Sequence, residues 1–338
     1  MLGTSGSGKT VYMDAMSELF YHGSVNGFSI SNRDDSYQNN TFVYKAFSGI
    51  NTLSKHGRFP NGSSSNVIMP LKLKYKGTPL IDIDWIDYRG GAITELALGE
   101  HNSQNSKVLA TLITSDVVMI FVDAAVLKVC TSVPVARANV GANEIIQLLR
   151  LIRNKKCFDI VFILSKMDSS IVNMRTEYSQ LKDRLSAVYA RYFADTNTNI
   201  TQYPVIPVGS VGIGNVETTY KYEPNREGGN TLVFNHEIIE ANGINPINIA
   251  ASFAHALLKC MEMETESIKR MLMEKENELT YLMHRSNSVS EIMDIMFSGG
   301  QGRWHIQELR NKLSESRNEI NKLIAYKPQL KMIASSEM

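Results

Sequence analysis

A phosphate-binding pattern lies at the start of the chain. Residues 3–10, GTSGSGKT, match the spacing G-x-x-x-x-G-K-[ST] at every position. Glycines let the backbone wrap closely around an anion, so that successive N–H groups point at phosphate oxygens. Lys9 would reach the β- and γ-phosphates, and the Thr10 hydroxyl would bind Mg²⁺. The phosphate contacts are therefore expected from one run of residues: Gly3, Ser5, Gly6, Ser7, Gly8, Lys9, Thr10 and Val11.

A second pattern follows a predicted strand at 80–86, which ends at Asp87, with Gly90 three residues later. An aspartate at a strand end can hold Mg²⁺, and a glycine at this spacing can donate its N–H to a γ-phosphate. The structural alternative is an aspartate that only caps a turn. The position, one strand after the phosphate loop, favours a nucleotide-sensing segment. Asp82 and Asp84 alternate along the same strand, so we expect them to share one face.

A third pattern concerns the base. Ser-Lys-Met-Asp at 165–168 directly follows an apolar run predicted as a strand at 159–164. The carboxylate of Asp168 can accept two hydrogen bonds from the N1–H and N2–H₂ edge of guanine, whereas adenine would leave it unpaired. The aliphatic stem of Lys166 could cover the base plane. Asp168 also suits the N-cap of a helix, but its place after this strand favours guanine.

A fourth, less specific stretch follows the predicted strand at 203–208. Gly209, Ser210 and Val211 come next, and the backbone N–H groups of Ser210 and Val211 could meet the guanine carbonyl oxygen. Turn glycines explain this stretch almost as well.

In chain order, the four patterns resemble the Ras-like (TRAFAC) GTPase class of phosphate-loop proteins, over roughly residues 3–259. More narrowly, WIDYRGG and GINPINIAASFAHALL look like the prokaryotic double-GTPase group. The resemblance implies a Ras-like fold, GTP/GDP and Mg²⁺ as cofactors, and a switching mechanism. Members of that group are often associated with partner proteins in bacterial gene clusters, some of them linked to defence.

Two catalytic groups familiar in this class are missing from their positions. Gly91 stands where Ras-type proteins have the glutamine that orients water, and Gly6 stands where potassium-activated members have an asparagine. Hydrolysis by the chain alone is therefore expected to be slow. Arg89, or an arginine from a partner, could stabilise the developing charge, a contact worth roughly 10³–10⁵ in rate. The expected catalytic set is Lys9, Arg89 and Gly90.

A switch threonine should also close over Mg²⁺ and the γ-phosphate. The polar segment 21–66 contains Thr41, Thr52 and a serine run at 63–65, and spacing alone does not choose among them. We prefer Thr41 because the stretch around it, NNTFVYKAF, shows more of an apolar pattern than the rest of the segment. The expected metal ligands are thus Thr10, Asp87 and Thr41.

The apolar pattern predicts the elements that position these residues. Strands are predicted at 67–75, 80–86, 117–122, 159–164 and 203–208, and helices at 10–20, 103–114, 142–154 and 174–193. This alternation predicts an α/β domain over 1–257, with a mostly parallel sheet and helices on both faces. The segment 21–66 is predicted to be a long functional loop, and 216–238 an inserted β-hairpin.

The strand that normally precedes a phosphate loop is not visible in the sequence. Only Met1 and Leu2 come before Gly3. We expect either that the chain as given begins late, by roughly 5–8 residues, or that another segment fills that place in the sheet.

Residues 258–330 carry apolar side chains at three-and-four spacing, interrupted by SGGQG at 298–302. This spacing predicts two long helices in an antiparallel hairpin. One interpretation is that the hairpin packs on itself or on the preceding domain. Alternatively it forms a homodimer or docks a protein effector, for which its methionines would provide an adaptable surface.

The composition of the chain bears on which classes of protein it can belong to. The formal net charge of +1 argues against a general attraction to nucleic acid, and no apolar run is long enough to span a membrane. Three scattered cysteines form no metal pattern, which favours buried thiols in a reducing, cytoplasmic compartment. Two alternatives to a GTPase stay open: an ATPase that uses Asp87 to hold its metal, and a scaffold that binds nucleotide structurally.

Overall fold

The computed structural model describes residues 1–21, 23–33, 59, 67–87, 95–96, 103–224, 230–239, 244–285 and 301–335. Two compact units make up the chain, one formed by 1–256 with 332–338 and the other by 257–331. The described helices are α1 (Lys9–Phe20), α2 (Ser103–Thr114), α3 (Ala124–Val129), α4 (Val133–Asn139), α5 (Ala142–Arg153), α6 (Met174–Val188), α7 (Ala190–Thr196), α8 (Ile249–Arg285) and α9 (Gln301–Ser335). The described strands are β1 (Phe28–Asn32), β2 (Val67–Tyr75), β3 (Thr78–Asp87), β4 (Val117–Asp123), β5 (Asp159–Ser165), β6 (Val205–Pro207), β7 (Val216–Pro224) and β8 (Asn230–Ile238).

A parallel sheet with the order β4–β5–β6 forms the centre of the first unit. Its two long strands, VVMIFVD and DIVFILS, are buried at every position but the first. Continuous burial of this kind is typical of a parallel sheet covered on both faces, which explains why these strands are unbroken apolar runs in the sequence. The prediction of an α/β fold with a parallel sheet is confirmed in this part.

The residues before the phosphate loop lie beside this sheet. Leu2 pairs in parallel with β4: its N–H donates to the Met119 carbonyl and its carbonyl accepts from Phe121 N–H, both at 2.8 Å. The Met1 nitrogen donates to the carbonyl of Ile86, near the end of β3, at 2.9 Å. These contacts place the residues before the loop beside the end of β3 and the middle of β4.

A second sheet corrects the sequence-based expectation of a mostly parallel arrangement. β1, β2 and β3 pair antiparallel in that order. Only Lys76 and Gly77 connect β2 to β3, and both have positive φ, 46° and 82°. A two-residue turn of this kind reverses the chain and leaves no length for a parallel crossover. As predicted, Asp82 and Asp84 share one face, where both contact Arg33.

Several short elements also differ from the prediction. β1 lies inside the segment predicted as a loop, and the helix predicted at 174–193 is divided into α6 and α7. The six- and seven-residue helices α3 and α4 are too short to show a periodic pattern; they are initiated by side-chain caps from Asp123 and Ser132. Of the cysteines, Cys130 is buried, Cys157 is exposed and Cys260 is half-buried, so the expectation of buried thiols is wrong for two of them.

The predicted insertion at 216–238 is confirmed as the antiparallel hairpin β7–β8. Its first strand is anchored to the segment after β5, because Ser170 N–H donates to the Val216 carbonyl at 2.9 Å. The hairpin therefore lies beside the residues that follow β5.

The second unit consists of parts of the two long helices. The predicted apolar spacing corresponds to buried positions on both helices: Leu258, Met261, Ile268, Leu272, Leu309, Leu313, Ile320 and Leu323. Two ion pairs join α8 to α9, Glu276 to Arg317 at 2.6 Å and Glu262 to Lys327 at 2.8 Å. Since the earlier glutamate pairs with the later cation, the helices run antiparallel, as predicted. Within the described residues, no helix combines the length and apolar character needed to cross a membrane.

Candidate functional site

The loop at 3–10 begins at the Leu2 pairing with β4 and ends in α1. Gly8 is the N-cap residue of α1, at φ 88°, a conformation that favours glycine. Gly3 has no room for a side chain, because a Cβ there would lie 2.5 Å from Ser7 Oγ and 2.9 Å from the Phe121 carbonyl oxygen. The first-turn residues Thr10 and Val11 are half-buried. Gly8 has no side chain with which to cap α1, and the loop leads directly into the N-terminus of the helix, where the positive end of the helix dipole lies.

The Lys9 side chain folds back over this loop. Its Nζ donates to the carbonyl oxygens of Gly3 at 2.8 Å and Thr4 at 3.0 Å, and Lys9 is only 6% exposed. The ammonium is therefore held at the loop, whereas Ser5 and Gly6 at the tip are exposed. A positive charge, a helix N-terminus and a tight glycine turn together form an arrangement that can bind a phosphate group.

Ser165 connects the loop to the next predicted motif. Its hydroxyl, at the end of β5, lies 2.7 Å from the Ser7 carbonyl oxygen and 3.2 Å from that of Val122. The Ser165 side chain also packs near Gly8, since a Cβ on that glycine would lie 3.6 Å from Ser165 Cβ. The structure thus places Ser165, the first residue of the 165–168 motif, directly beside the phosphate loop, although the two segments are far apart in sequence.

Asp168 is a buried carboxylate with a defined environment. It is 5% exposed, and its Oδ2 accepts hydrogen bonds from Val211 N–H at 2.7 Å and Gly212 N–H at 3.1 Å. Burial raises the pKa of the carboxyl above its ordinary value, and hydrogen bonds from the backbone N–H groups of Val211, Gly212 and Asp168 itself, together with the Lys166 charge, oppose that rise. Neither the Val211 bond nor the Gly212 bond uses the other carboxylate oxygen, Oδ1. The group can therefore offer an acceptor to a ligand.

The loop after β6 packs tightly against Asp168. A Cβ on Gly209 would lie 2.9 Å from Asp168 Cβ, so only glycine fits there without movement. The loop is held in turn by the segment before α8: Gly209 and Ile247 exchange backbone hydrogen bonds, and Asn245 N–H donates to the Val211 carbonyl at 3.0 Å. Val211 N–H, predicted to meet a base, is occupied by Asp168, whereas no described residue accepts from the Ser210 N–H.

Lys166 adopts a left-handed backbone conformation, φ 58°, which is unusual for a residue with a long side chain. Its ammonium lies 2.6 Å from Asp123 Oδ2 and 2.8 Å from His236 Nε2. Asp123 ends β4 and also caps α3 through Oδ1, at 2.9 Å from Ala125 N. The Lys166 side chain is thus held by residues from two separate elements.

Sequence reasoning did not select Asp123 or His236 as site residues. For Asp123 a signal was present, because it ends an apolar strand, just as Asp87 ends β3. For His236 there was none, since it lies in an inserted hairpin and contacts a residue 70 positions away.

Asp87 is the last residue of β3, directly after Ile86, whose carbonyl accepts from the Met1 nitrogen. Its backbone is therefore close to the start of the loop. The other predicted metal and catalytic residues, Thr41, Arg89 and Gly90, lie outside the described residues.

The fold and the site together define a mixed α/β protein with a glycine-rich loop and a buried carboxylate at the carboxyl ends of parallel strands. Comparison of the chain with known protein families, curated proteins and solved structures finds no match. Function is therefore inferred from the residues and their contacts.

Proposed function

We propose that the protein is a guanine-nucleotide-binding switch that binds GTP with Mg²⁺ and hydrolyses it slowly. The phosphates would lie in the loop 3–10, against the N-terminus of α1 and Lys9. The base would be recognised at Asp168. The GTP-bound state would control a partner protein, which docks on the second unit or is a second copy of the chain. The protein would act in a prokaryotic defence or conflict system.

The observation that supports this proposal most strongly is the link through Ser165. It joins a phosphate-type loop to the segment that carries Asp168, with hydroxyl-to-carbonyl distances of 2.7 Å and 3.2 Å. A triphosphate bound at the first would carry its base towards the second. In open α/β sheets, ligands bind at the carboxyl ends of the strands, where both segments lie.

Asp168 supports guanine over adenine. Burial disfavours the ionised form of this carboxyl, so hydrogen-bond donors from a ligand, added to Val211 and Gly212, would favour it. Guanine supplies two such donors, N1–H and N2–H₂, whereas adenine presents a ring-nitrogen acceptor there and would add repulsion. A site of this type discriminates by roughly 10⁴–10⁵.

We propose that Thr10 and Asp87 supply oxygen ligands for Mg²⁺. Thr10 is the second residue of α1, and Asp87 is the last residue of β3. Hydroxyl and carboxylate oxygens are the donors that this cation prefers. When bound, Mg²⁺ would neutralise charge on the phosphates, and Lys9 would hold them in place. We further propose that Arg89 and the Gly90 N–H stabilise charge during hydrolysis, with Thr41 closing over the metal.

Binding measurements on the purified chain test the proposal. Titration with GTP, ATP and XTP in Mg²⁺ should give tight binding of GTP alone, with slow phosphate release on incubation. Lys9→Ala should weaken GTP binding by about 10²–10⁴-fold, from the loss of charge-assisted hydrogen bonds worth about 1.5–3 kcal/mol each. The exposed Lys155→Ala is the matched control and should bind as the unchanged protein does.

Two results would redirect the proposal. Equal or tighter binding of ATP would favour an ATPase. A scaffold would show no turnover even with its partner present, and its partner binding would be indifferent to Lys9→Ala.

A further inference from the structure

We propose that the hairpin β7–β8 contributes to the base site. His236 is the positioning residue: it holds the Lys166 side chain so that its aliphatic stem packs against the guanine ring. This inference rests on the proposed function and adds to it a residue from an inserted element. Lys166 lies two residues before Asp168, which would meet the base, so its position affects that site directly.

The contacts of the Lys166 ammonium carry the proposal. The long, flexible side chain is held at its far end, with Nζ 2.6 Å from Asp123 Oδ2 and 2.8 Å from His236 Nε2. Pinning both ends of the chain fixes the aliphatic stem between them. Its side chain is only 20% exposed, and its Cγ lies 4.0 Å from where a Cβ on Gly8 would be. The stem therefore lies next to the phosphate loop.

The chemistry of the contact assigns the histidine tautomer. An ammonium only donates, so His236 Nε2 must be the acceptor and the ring proton is on Nδ1. Nδ1 lies 2.9 Å from Thr218 Oγ1, to which the Ser169 hydroxyl also donates at 2.8 Å. Burial, and then the Lys166 charge, lower the pKa of His236 to about 4, against an opposing effect of Asp123. The ring is neutral at pH 7 and keeps its acceptor.

Further bonds tie the hairpin to the same segment. Thr218 N–H donates to Ser170 Oγ at 2.9 Å, and Ser170 N–H donates to the Val216 carbonyl at 2.9 Å. The face of the His236 ring is parallel to that of Phe234, with centroids 6.0 Å apart and 4° between the planes. The hairpin thus contacts residues on both sides of Asp168 and presents His236 from a supported position.

The test separates base recognition from phosphate binding. GTP·Mg²⁺ and inorganic tripolyphosphate, which can occupy only the loop, are titrated into the full chain and into two variants. His236→Phe keeps an aromatic ring but removes the acceptor, whereas His236→Gln keeps an acceptor near the position of Nε2. We expect His236→Phe to weaken GTP by about tenfold, leaving tripolyphosphate unchanged, because a hydrogen bond to a charged group is lost. His236→Gln should restore GTP affinity to within about threefold.

A double-mutant cycle tests whether His236 acts on GTP affinity through Lys166, which a purely structural role of His236 would not require. Lys166→Met keeps the aliphatic stem and removes the ammonium, so His236→Phe should have no further effect in that background. The exposed Thr219→Ala, on the same hairpin, is the control. If His236→Phe unfolds, Lys166→Met alone carries the test, with the same selective loss of GTP expected.

The outcomes distinguish the two proposals. If the unchanged protein binds no guanine nucleotide, the proposed function is overturned and this inference with it. If the protein prefers guanine but His236→Phe binds GTP as tightly as before, only the role of His236 is overturned. An equal loss for GTP and tripolyphosphate would also overturn it, because His236 would then act on the loop or on folding.

Discussion

Replacing Asp168 by Asn is the perturbation with the most specific expected result. In the folded chain Oδ2 accepts from two backbone donors, Val211 N–H at 2.7 Å and Gly212 N–H at 3.1 Å. If the amide oxygen of Asn takes those bonds, the NH₂ group faces the guanine donors. If the amide is turned over, the NH₂ group faces Val211 and Gly212. Either orientation brings donors against donors in a buried site.

The expected loss of GTP affinity follows from the hydrogen bonds that Asp168→Asn removes. Two charge-assisted hydrogen bonds to guanine, at about 1.5–3 kcal/mol each, correspond to about 10²–10⁴ in affinity. XTP should gain, because its base carries a carbonyl where guanine carries the N2 amino group, and the Asn NH₂ can donate to it. The preference for GTP over XTP should therefore reverse in Asp168→Asn.

The same substitution should not destabilise the nucleotide-free protein. Because burial raises the pKa of Asp168, the folded state disfavours its ionised form. The stability carried by this carboxyl is therefore present at low pH and lost as the pH rises through its folded pKa. Asn is neutral and keeps an oxygen for Val211 and Gly212, so its unfolding temperature at pH 7 should equal or exceed that of the unchanged protein.

Fluorescent GTP and XTP analogues, with calorimetry for unfolding, measure both effects. Asp183→Asn, an exposed carboxylate on α6, is the matched control and should change neither. Unchanged GTP affinity without any gain for XTP would refute the assignment of Asp168 to the base. A large fall in unfolding temperature would refute the account of its burial.

Three further predictions concern the elements around this residue. Ser165→Ala should lower the free energy of unfolding by about 1–3 kcal/mol and weaken GTP binding, because the Ser7 carbonyl loses its buried donor. The control is Ser115→Ala, which removes a similar hydroxyl at the end of α2 and should leave GTP affinity unchanged. Gly209→Ala should cost about 1–3 kcal/mol in the same measurement, since its Cβ would lie 2.9 Å from Asp168 Cβ, and a stability equal to that of the unchanged protein would contradict the packing. Because the folded pKa of His236 lies below its ordinary 6.5, at about 4, the stability that it contributes is present above pH 6.5 and is lost as the pH falls towards 4. Thermal unfolding from pH 7 to 4 should show a smaller loss in His236→Gln, and identical profiles would contradict the environment assigned to the ring.

The sequence predicts the buried strands well because they are continuous apolar runs. β4 and β5 each extend only one residue beyond the predicted bounds, to Asp123 and Ser165. β2 is also predicted at its observed bounds, although polar residues interrupt it. The antiparallel pairing of β2 with β3 is decided by the two-residue turn at Lys76 and Gly77, a signal weaker than that of Asn-Gly. The helices α3 and α4 depend on single capping side chains rather than on periodicity, so a pattern of apolar spacing does not show them.

Some features of the candidate site are likewise predictable from the sequence, and others are not. The loop and the 165–168 segment are contiguous motifs, so spacing alone identifies them, and their approach through Ser165 follows from adjacent strand ends. The hold of Asp123 and His236 on Lys166 depends on contacts between distant segments. A single sequence contains no local signal for such contacts, because each partner alone is an ordinary strand-end or hairpin residue.

The identity of the bound nucleotide tests the central claim most directly. The full chain is purified in Mg²⁺ and denatured, and any released nucleotide is identified by mass; a preparation that releases none is first incubated with equal concentrations of GTP and ATP and then separated from free ligand. The proposed site predicts GDP or GTP in amounts stoichiometric with the protein. Release of an adenine nucleotide, or of none after the incubation, would contradict it.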